Sequence, residues 1–171
     1  MLPNNFFRRA FSRIARDTVY RDMNDDAAFE LLNRTALVLE NLGIPWWLND
    51  GTLLGFYRDG GFIGHDIDID IGLPATAYSP ALESALLNAG LDIYSQYGQP
   101  DNGLEMTVRS RWLYLPGTSL DLFFFYEEDD TWWNAVYYKG HQLRLRYPKF
   151  ETRPLEVRGV EYPIPTCTED I

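Results

Sequence analysis

The stretch His65-Asp-Ile-Asp-Ile-Asp-Ile-Gly-Leu73 places three carboxylates two residues apart, with isoleucines between them. Residues two apart on a β-strand point the same way. The alternation therefore predicts a strand over Asp66 to Leu73, with Ile67, Ile69, Ile71 and Leu73 in a core and Asp66, Asp68 and Asp70 on the opposite side. At roughly 3.3 Å per residue the three acids lie within about 13 Å. Their charges repel, and a strand pinned into a core limits relief by solvent. A hard divalent cation such as Mg²⁺ or Mn²⁺ resolves the repulsion, and Mg²⁺ binds carboxylates together with substrate phosphates. Asp68 and Asp70 are the expected ligands, with Asp66 in support. The competing reading is an exposed strand with solvated acids. A calcium loop also opens Asp-x-Asp-x-Asp, but here its sixth position is Ile71 rather than Gly and its twelfth Ala77 rather than Glu.

A third carboxylate, Asp121, lies in Leu-Asp-Leu-Phe-Phe-Phe-Tyr. A charge in so apolar a run calls for a partner or a metal. Asp121 either completes the metal site from a neighbouring strand, serves as general base on an attacking hydroxyl, or simply ends a strand. Gly51-Thr52 stands just before an expected helix over Thr52 to Arg58, where free N–H groups favour a phosphate. Arg58 is a candidate for a phosphate contact or for stabilising developing negative charge, and equally a surface arginine. Two histidines and one cysteine make no convincing zinc set, and no Walker loop, dinucleotide fingerprint or nucleophilic triad is present. The five tryptophans, Trp46, Trp47, Trp112, Trp132 and Trp133, are mostly core candidates.

Several elements must position these groups. Asn24 or Asp25 caps a helix carrying Phe29, Leu32, Ala36 and Leu39 at helical spacing, which Gly43 and Pro45 end. Ile44 to Leu48 reads as a short strand entering the turn Asn49-Asp50-Gly51-Thr52. Asp59-Gly60-Gly61 reads as another turn. Ser79-Pro80 opens a helix running to Gly90. Strands are then expected over Leu91–Tyr94, Glu105–Arg109, Trp112–Leu115, Leu120–Tyr126, Trp132–Tyr138 and Gln142–Tyr147. Helices alternating with strands early, and strands dominating late, predict an α/β (α+β) fold with a mixed sheet flanked by helices.

The 171 residues fit one domain, and 46% apolar residues suffice for a core. The net charge of −10 argues against a general nucleic-acid binder. Residues 1–22 hold five of the 15 basic and two of the 25 acidic residues, leaving 10 and 23 for residues 23–171. This divides the chain into a basic N-terminal segment, 1–22, and an acidic domain, 23–171. Within residues 6–16, Phe7, Phe11 and Ile14 fall at helical spacing among arginines. Such a helix either packs on the domain or makes peripheral contact with an anionic membrane. The single Cys167, the lack of a membrane-spanning run and the lack of a signal-peptide core lead to the expectation of a cytoplasmic protein, with residues 6–16 as its one candidate for membrane association.

Residues 47–73, Trp-Leu-Asn-Asp-Gly-Thr-Leu-Leu-Gly-Phe-Tyr-Arg-Asp-Gly-Gly-Phe-Ile-Gly-His-Asp-Ile-Asp-Ile-Asp-Ile-Gly-Leu, resemble the LicD family, which includes the fukutin-related proteins. The matching positions are Gly51-Thr52-Leu53-Leu54-Gly55, Arg58, Gly61-Phe62-Ile63, Asp66 and Asp68-Ile69-Asp70. Asp121 resembles the third carboxylate of the wider nucleotidyltransferase-like superfamily. Tyr147-Pro148, Pro154-Leu155 and Val160 to Pro165 are similar, more weakly, to the family's later segment. Gly64-His65 replaces a usual Pro-Trp, and Ile67 a frequent acid. Family members usually continue past this point, so a shortened C-terminus is expected.

The resemblance implies a nucleotidyltransferase-like fold and metal-dependent transfer of a phospho-alcohol group, phosphocholine- or ribitol-phosphate-like, from a CDP-linked donor to a glycan or cell-surface polymer. It implies Asp68, Asp70 and Asp121 at the metal, Asp121 and Arg58 in catalysis, and Gly51, Thr52 and Gly55 at the donor's phosphates. A nucleotidyltransferase placing NMP on an acceptor would use the same carboxylates, and an inactive nucleotide-binding relative would keep the fold without turnover.

Overall fold

The computed structural model describes residues 23–112 and 118–168. The expectations for the basic segment 1–22, including its membrane contact, lie outside them. Helix α1 (Asp25–Asn41) is capped by Asn24, whose Oδ1 accepts a hydrogen bond from the Ala27 N–H at 3.0 Å. Strand β1 is only Trp47–Leu48, helix α2 spans Asp50–Asp59 and strand β2 spans Ile69–Pro74. A short 3₁₀ turn (Ala75–Ala77) leads to α3 (Pro80–Asn88), capped by Ser79 through the Leu82 N–H. Strands β3 (Leu91–Gln99), β4 (Asn102–Ser110), β5 (Leu120–Glu128), β6 (Thr131–Tyr138) and β7 (His141–Pro148) follow, then a hairpin of β8 (Thr152–Val157) and β9 (Val160–Pro165).

The main sheet has seven strands. Along β1-β2-β5-β4-β3, β2 and β5 run parallel and the other pairs antiparallel; β6 and β7 extend the sheet from the far end of β5. Its apolar face carries Ile69, Ile71 and Leu73 of β2, Leu120, Leu122 and Phe124 of β5, and Leu104, Met106 and Val108 of β4. Leu31, Leu32 and Leu39 of α1, Phe56 of α2, and Leu82 and Leu86 of α3 pack into the same core, so the three helices cover one face. The β8–β9 hairpin adds Val157, Tyr162 and Ile164 to it. The opposite face holds the acids and a smaller cluster of Trp47, Phe123 and Phe125, against which Trp132, Tyr147 and Phe150 pack.

Several expectations change. The strand over Asp66 to Leu73 begins only at Ile69, because β5, its parallel partner, begins opposite at Leu120. Before it, the Asp66 N–H donates to Ile63 O and closes a turn, and Ile67 is 50% exposed rather than in the core. Residues 49–52 form no separate turn, since the helix starts at Asp50. The expected strand Trp112–Leu115 is not extended at Trp112, which lies in a bend and is 75% exposed; the rest falls outside the described residues. Among the described residues no helix is long and apolar enough to cross a membrane.

Gly72 marks where the acidic and aromatic parts of the polar face meet. A Cβ there would lie 2.2 Å from Trp47 Nε1 and 2.9 Å from Phe125 Cε2, so the indole sits directly on the β2 backbone. Gly72→Ala should displace that ring and cost about 1–3 kcal/mol, read as a lower urea midpoint with an unchanged slope.

Candidate active site

Adjacent strands align the acids. The β2–β5 register sets Asp70 beside Asp121, and the β5–β4 register sets Asp121 beside Thr107. Paired residues share a sheet face. Asp68 reaches the same place from the bend before β2. One carboxylate oxygen from each of Asp68, Asp70 and Asp121 lies within 4.8 Å of the other two.

The start of α2 locks Asp70 in place. The Asp70 N–H donates to Thr52 Oγ1 at 2.8 Å, its carbonyl accepts from the Asn49 N–H at 3.0 Å, and its Oδ2 accepts from the Gly51 N–H at 3.2 Å. The partial positive charge of a helix N-terminus favours a carboxylate there. Gly51 makes room for this: a Cβ would meet Asp66 Oδ2 at 2.9 Å and Asp70 Oδ2 at 3.4 Å. The conformation is also unusual next to it, since Asp50 holds a φ of 39°, a left-handed backbone rare outside glycine.

The electrostatics follow from this crowding. Burial, then Asp121, Asp66 and Asp50, push the Asp68 carboxyl up to about 7. Asp70 is raised well above the carboxylate range by burial and then by Asp68, Asp50, Asp121 and Asp66. Burial takes Asp50 to about 6. Burial, reinforced by Asp121, Asp68 and Asp50, takes Glu105 to about 7. Asp121 is raised by burial but opposed by a hydrogen bond from Thr107 and by the charge of Arg109.

The donor set fits a hard divalent cation. All three close groups are carboxylates, and Asp121 Oδ1 is buried with no hydrogen-bond partner among the described residues. Three carboxylate oxygens within 4.8 Å of one another suit a hard cation such as Mg²⁺, which takes oxygen ligands.

The other expected residues are placed differently. Gly51 and Thr52 hold Asp70, as described. Gly55 is buried against the loop after α2, where a Cβ would lie 2.5 Å from Gly61 O, so its smallness serves that packing. Arg58 is exposed and forked onto Asp59, with Nε to Oδ1 at 2.8 Å and Nη2 to Oδ2 at 2.5 Å. Asp66 lies beside Gly51, at the edge of the cluster.

Asp50, Glu105, Thr107 and Arg109 join the site although the sequence alone gives them no role there. Asp50 lies within the stretch 47–73, and the one signal of the other three is the polar alternation Glu105-x-Thr107-x-Arg109 in β4, which predicts a strand but not what faces it.

The raised carboxyls fix a pH dependence. From about pH 4 to about pH 7 the metal-free folded state binds more protons at these acids than the unfolded chain does, so its stability falls as pH rises through that window. A bound cation offsets the loss only where the acids are ionised. The gain in melting temperature from saturating Mn²⁺ should therefore be larger at about pH 8 than at about pH 5. Asp70→Asn should raise the metal-free melting temperature at the higher pH and erase the gain; equal gains at both pH values would contradict the cluster's electrostatics.

Comparison with known proteins places the chain in a family. The family model described as LicD/FKTN/FKRP, nucleotidyltransferase domain, matches residues 43–166. The mouse (Mus musculus) ribitol-5-phosphate transferase FKTN is 34% identical over 145 residues, covering 84% of this chain and 31% of its own length. The human (Homo sapiens) protein of that name is 35% identical over 126 residues, covering 72% of this chain and 26% of its own. The chain thus spans about a third or less of the curated relatives it matches. Among solved structures, the lincosamide antibiotic adenylyltransferase LnuA superposes with a TM-score of 0.55 at 16% identity, over 85% of this chain and 82% of that one. At that identity the likeness shows the fold alone, which is nucleotidyltransferase-like. From the match over residues 43–166, which carries every carboxylate of the cluster, the chain belongs to the LicD/FKTN/FKRP family.

Proposed function

We propose that this chain is a metal-dependent phosphotransferase that moves a phospho-alcohol group, of the ribitol-phosphate or phosphocholine type, from a CDP-linked donor to a hydroxyl of a glycan. The observation that carries the reading is the convergence of Asp68, Asp70 and Asp121 to within 4.8 Å, with an unpartnered, buried oxygen on Asp121. The family membership and the mouse and human relatives, ribitol-5-phosphate transferases by name, support the class of group transferred.

Asp68, Asp70 and Asp121 would hold Mg²⁺ or Mn²⁺, which supplies neutralisation of charge on the donor's diphosphate when bound. The chain's own groups do the positioning. Thr52 and Gly51 fix Asp70, and Thr107 fixes one side of Asp121. The N-terminus of α2 adds a favourable field for an anion beside the cluster. Asp121 orients the acceptor hydroxyl or takes its proton. The acceptor oxygen bonds to the phosphorus that carries the alcohol, the bond from that phosphorus to the bridging oxygen breaks, and CMP leaves with that oxygen.

A second reading rests on the same cluster: Asp68, Asp70 and Asp121 would equally serve transfer of NMP with release of pyrophosphate. Incubation with CDP-ribitol or CDP-choline, and separately with CTP or ATP, separates the two: free CMP supports the first and free pyrophosphate the second. Asp68→Ala and Asp70→Ala should each lower turnover about a hundredfold or more, with the far-ultraviolet circular dichroism unchanged. Full turnover in both variants would refute the metal assignment.

A further inference from the structure

On the polar face of β4, one cation stands beside the acids. Arg109 is two residues beyond Thr107, on the same side of the strand, and its charge acts on Asp121. The guanidinium lies over the ring of Tyr94 with its central carbon 3.5 Å from the ring centre, which fixes its plane. Its partner across the β3–β4 ladder is Asp92, but that carboxylate is taken by Arg111, whose Nε donates to Asp92 Oδ1 at 2.8 Å. Arg109 closes no salt bridge among the described residues, and its Nε–H is buried without an acceptor.

An arginine whose task was only to keep Asp121 ionised would donate to it. Here Thr107 does that, and Asp121 Oδ1 stays unpaired. One face of the sheet therefore holds a buried acceptor and a buried donor that do not satisfy each other. Leaving either unpaired is costly. A cation meets the need of the first and an oxyanion that of the second, and a metal-bound phosphate is both at once.

We infer that Arg109, held by Tyr94, binds a phosphate oxygen of a nucleoside-diphosphate-linked donor, the contact that the sequence pattern suggests for Arg58. This rests on the phosphotransferase reading and adds to it the side chain that grips the donor's anion.

Binding of Mn²⁺ alone, and of CDP in the presence of Mn²⁺, measured by calorimetry on the full chain and on Arg109→Gln, Arg109→Lys and Tyr94→Leu, tests the assignment. Arg109→Gln should keep its affinity for Mn²⁺ and lose about tenfold or more for CDP, the scale of one hydrogen bond to a charged group. Arg109→Lys keeps the charge but not the fork, and Tyr94→Leu keeps the arginine but not its platform, so both should lose less. CDP affinity unchanged in Arg109→Gln would overturn the inference. So would a parallel loss of Mn²⁺ and CDP, which would mean that Arg109 acts through Asp121. A wild-type chain that binds no CDP with Mn²⁺ would sink the phosphotransferase reading as well, whereas a binding wild type with an indifferent Arg109→Gln sinks the arginine assignment alone.

Discussion

Mutual repulsion among carboxylates is the constraint around which this polar face is organised. Asp68, Asp70 and Asp121 are brought within 4.8 Å of one another, and Asp50, Asp66 and Glu105 add to the same field. Like charges this close and partly buried hold protons well above their ordinary range unless a cation is present. The fold keeps them together by fastening the backbone rather than by relieving the charge. The parallel β2–β5 pairing sets Asp70 against Asp121, and three hydrogen bonds from residues 49–52 secure Asp70.

That arrangement depends on a strict division between the two faces of the sheet. On one, Ile69, Ile71 and Leu73 are fully buried beneath the helices. A one-residue slip of β2 would send the acids into that core and the isoleucines to the polar face, at a cost no metal could offset. Burial of the apolar side thus fixes the register that the site requires. Trp47 lies over Gly72, beside Phe125, where the acidic part of the polar face gives way to the aromatic part.

The donor of positive charge is where family pattern and geometry part. Arg58 belongs to the motif yet is spread along the surface with Asp59. Arg109 belongs to no recognisable motif, yet it stands on the strand next to Asp121 with a donor to spare. Glu105 enters in the same way, from β4 rather than from the Asp-x-Asp segment.

Local chemistry is written in the order of the amino acids. The period-two alternation around Asp70 identifies a half-buried strand, because burial on one side and charge on the other leave that trace in the residues themselves. Ser79 and Asn24 announce their helices because caps act within a few residues of chain. The motif over residues 47–73 points to the family. What only the tertiary structure decided was pairing: that β2 starts at Ile69 because β5 begins opposite at Leu120, that Asp68 arrives from a bend, that Gly51 and Thr52 serve Asp70, and that Thr107 and Arg109 flank Asp121. A strand's alternation reveals which residues share its face, but the identity of the neighbouring strand and its register are set by contacts between residues far apart in the chain, and no local pattern records them.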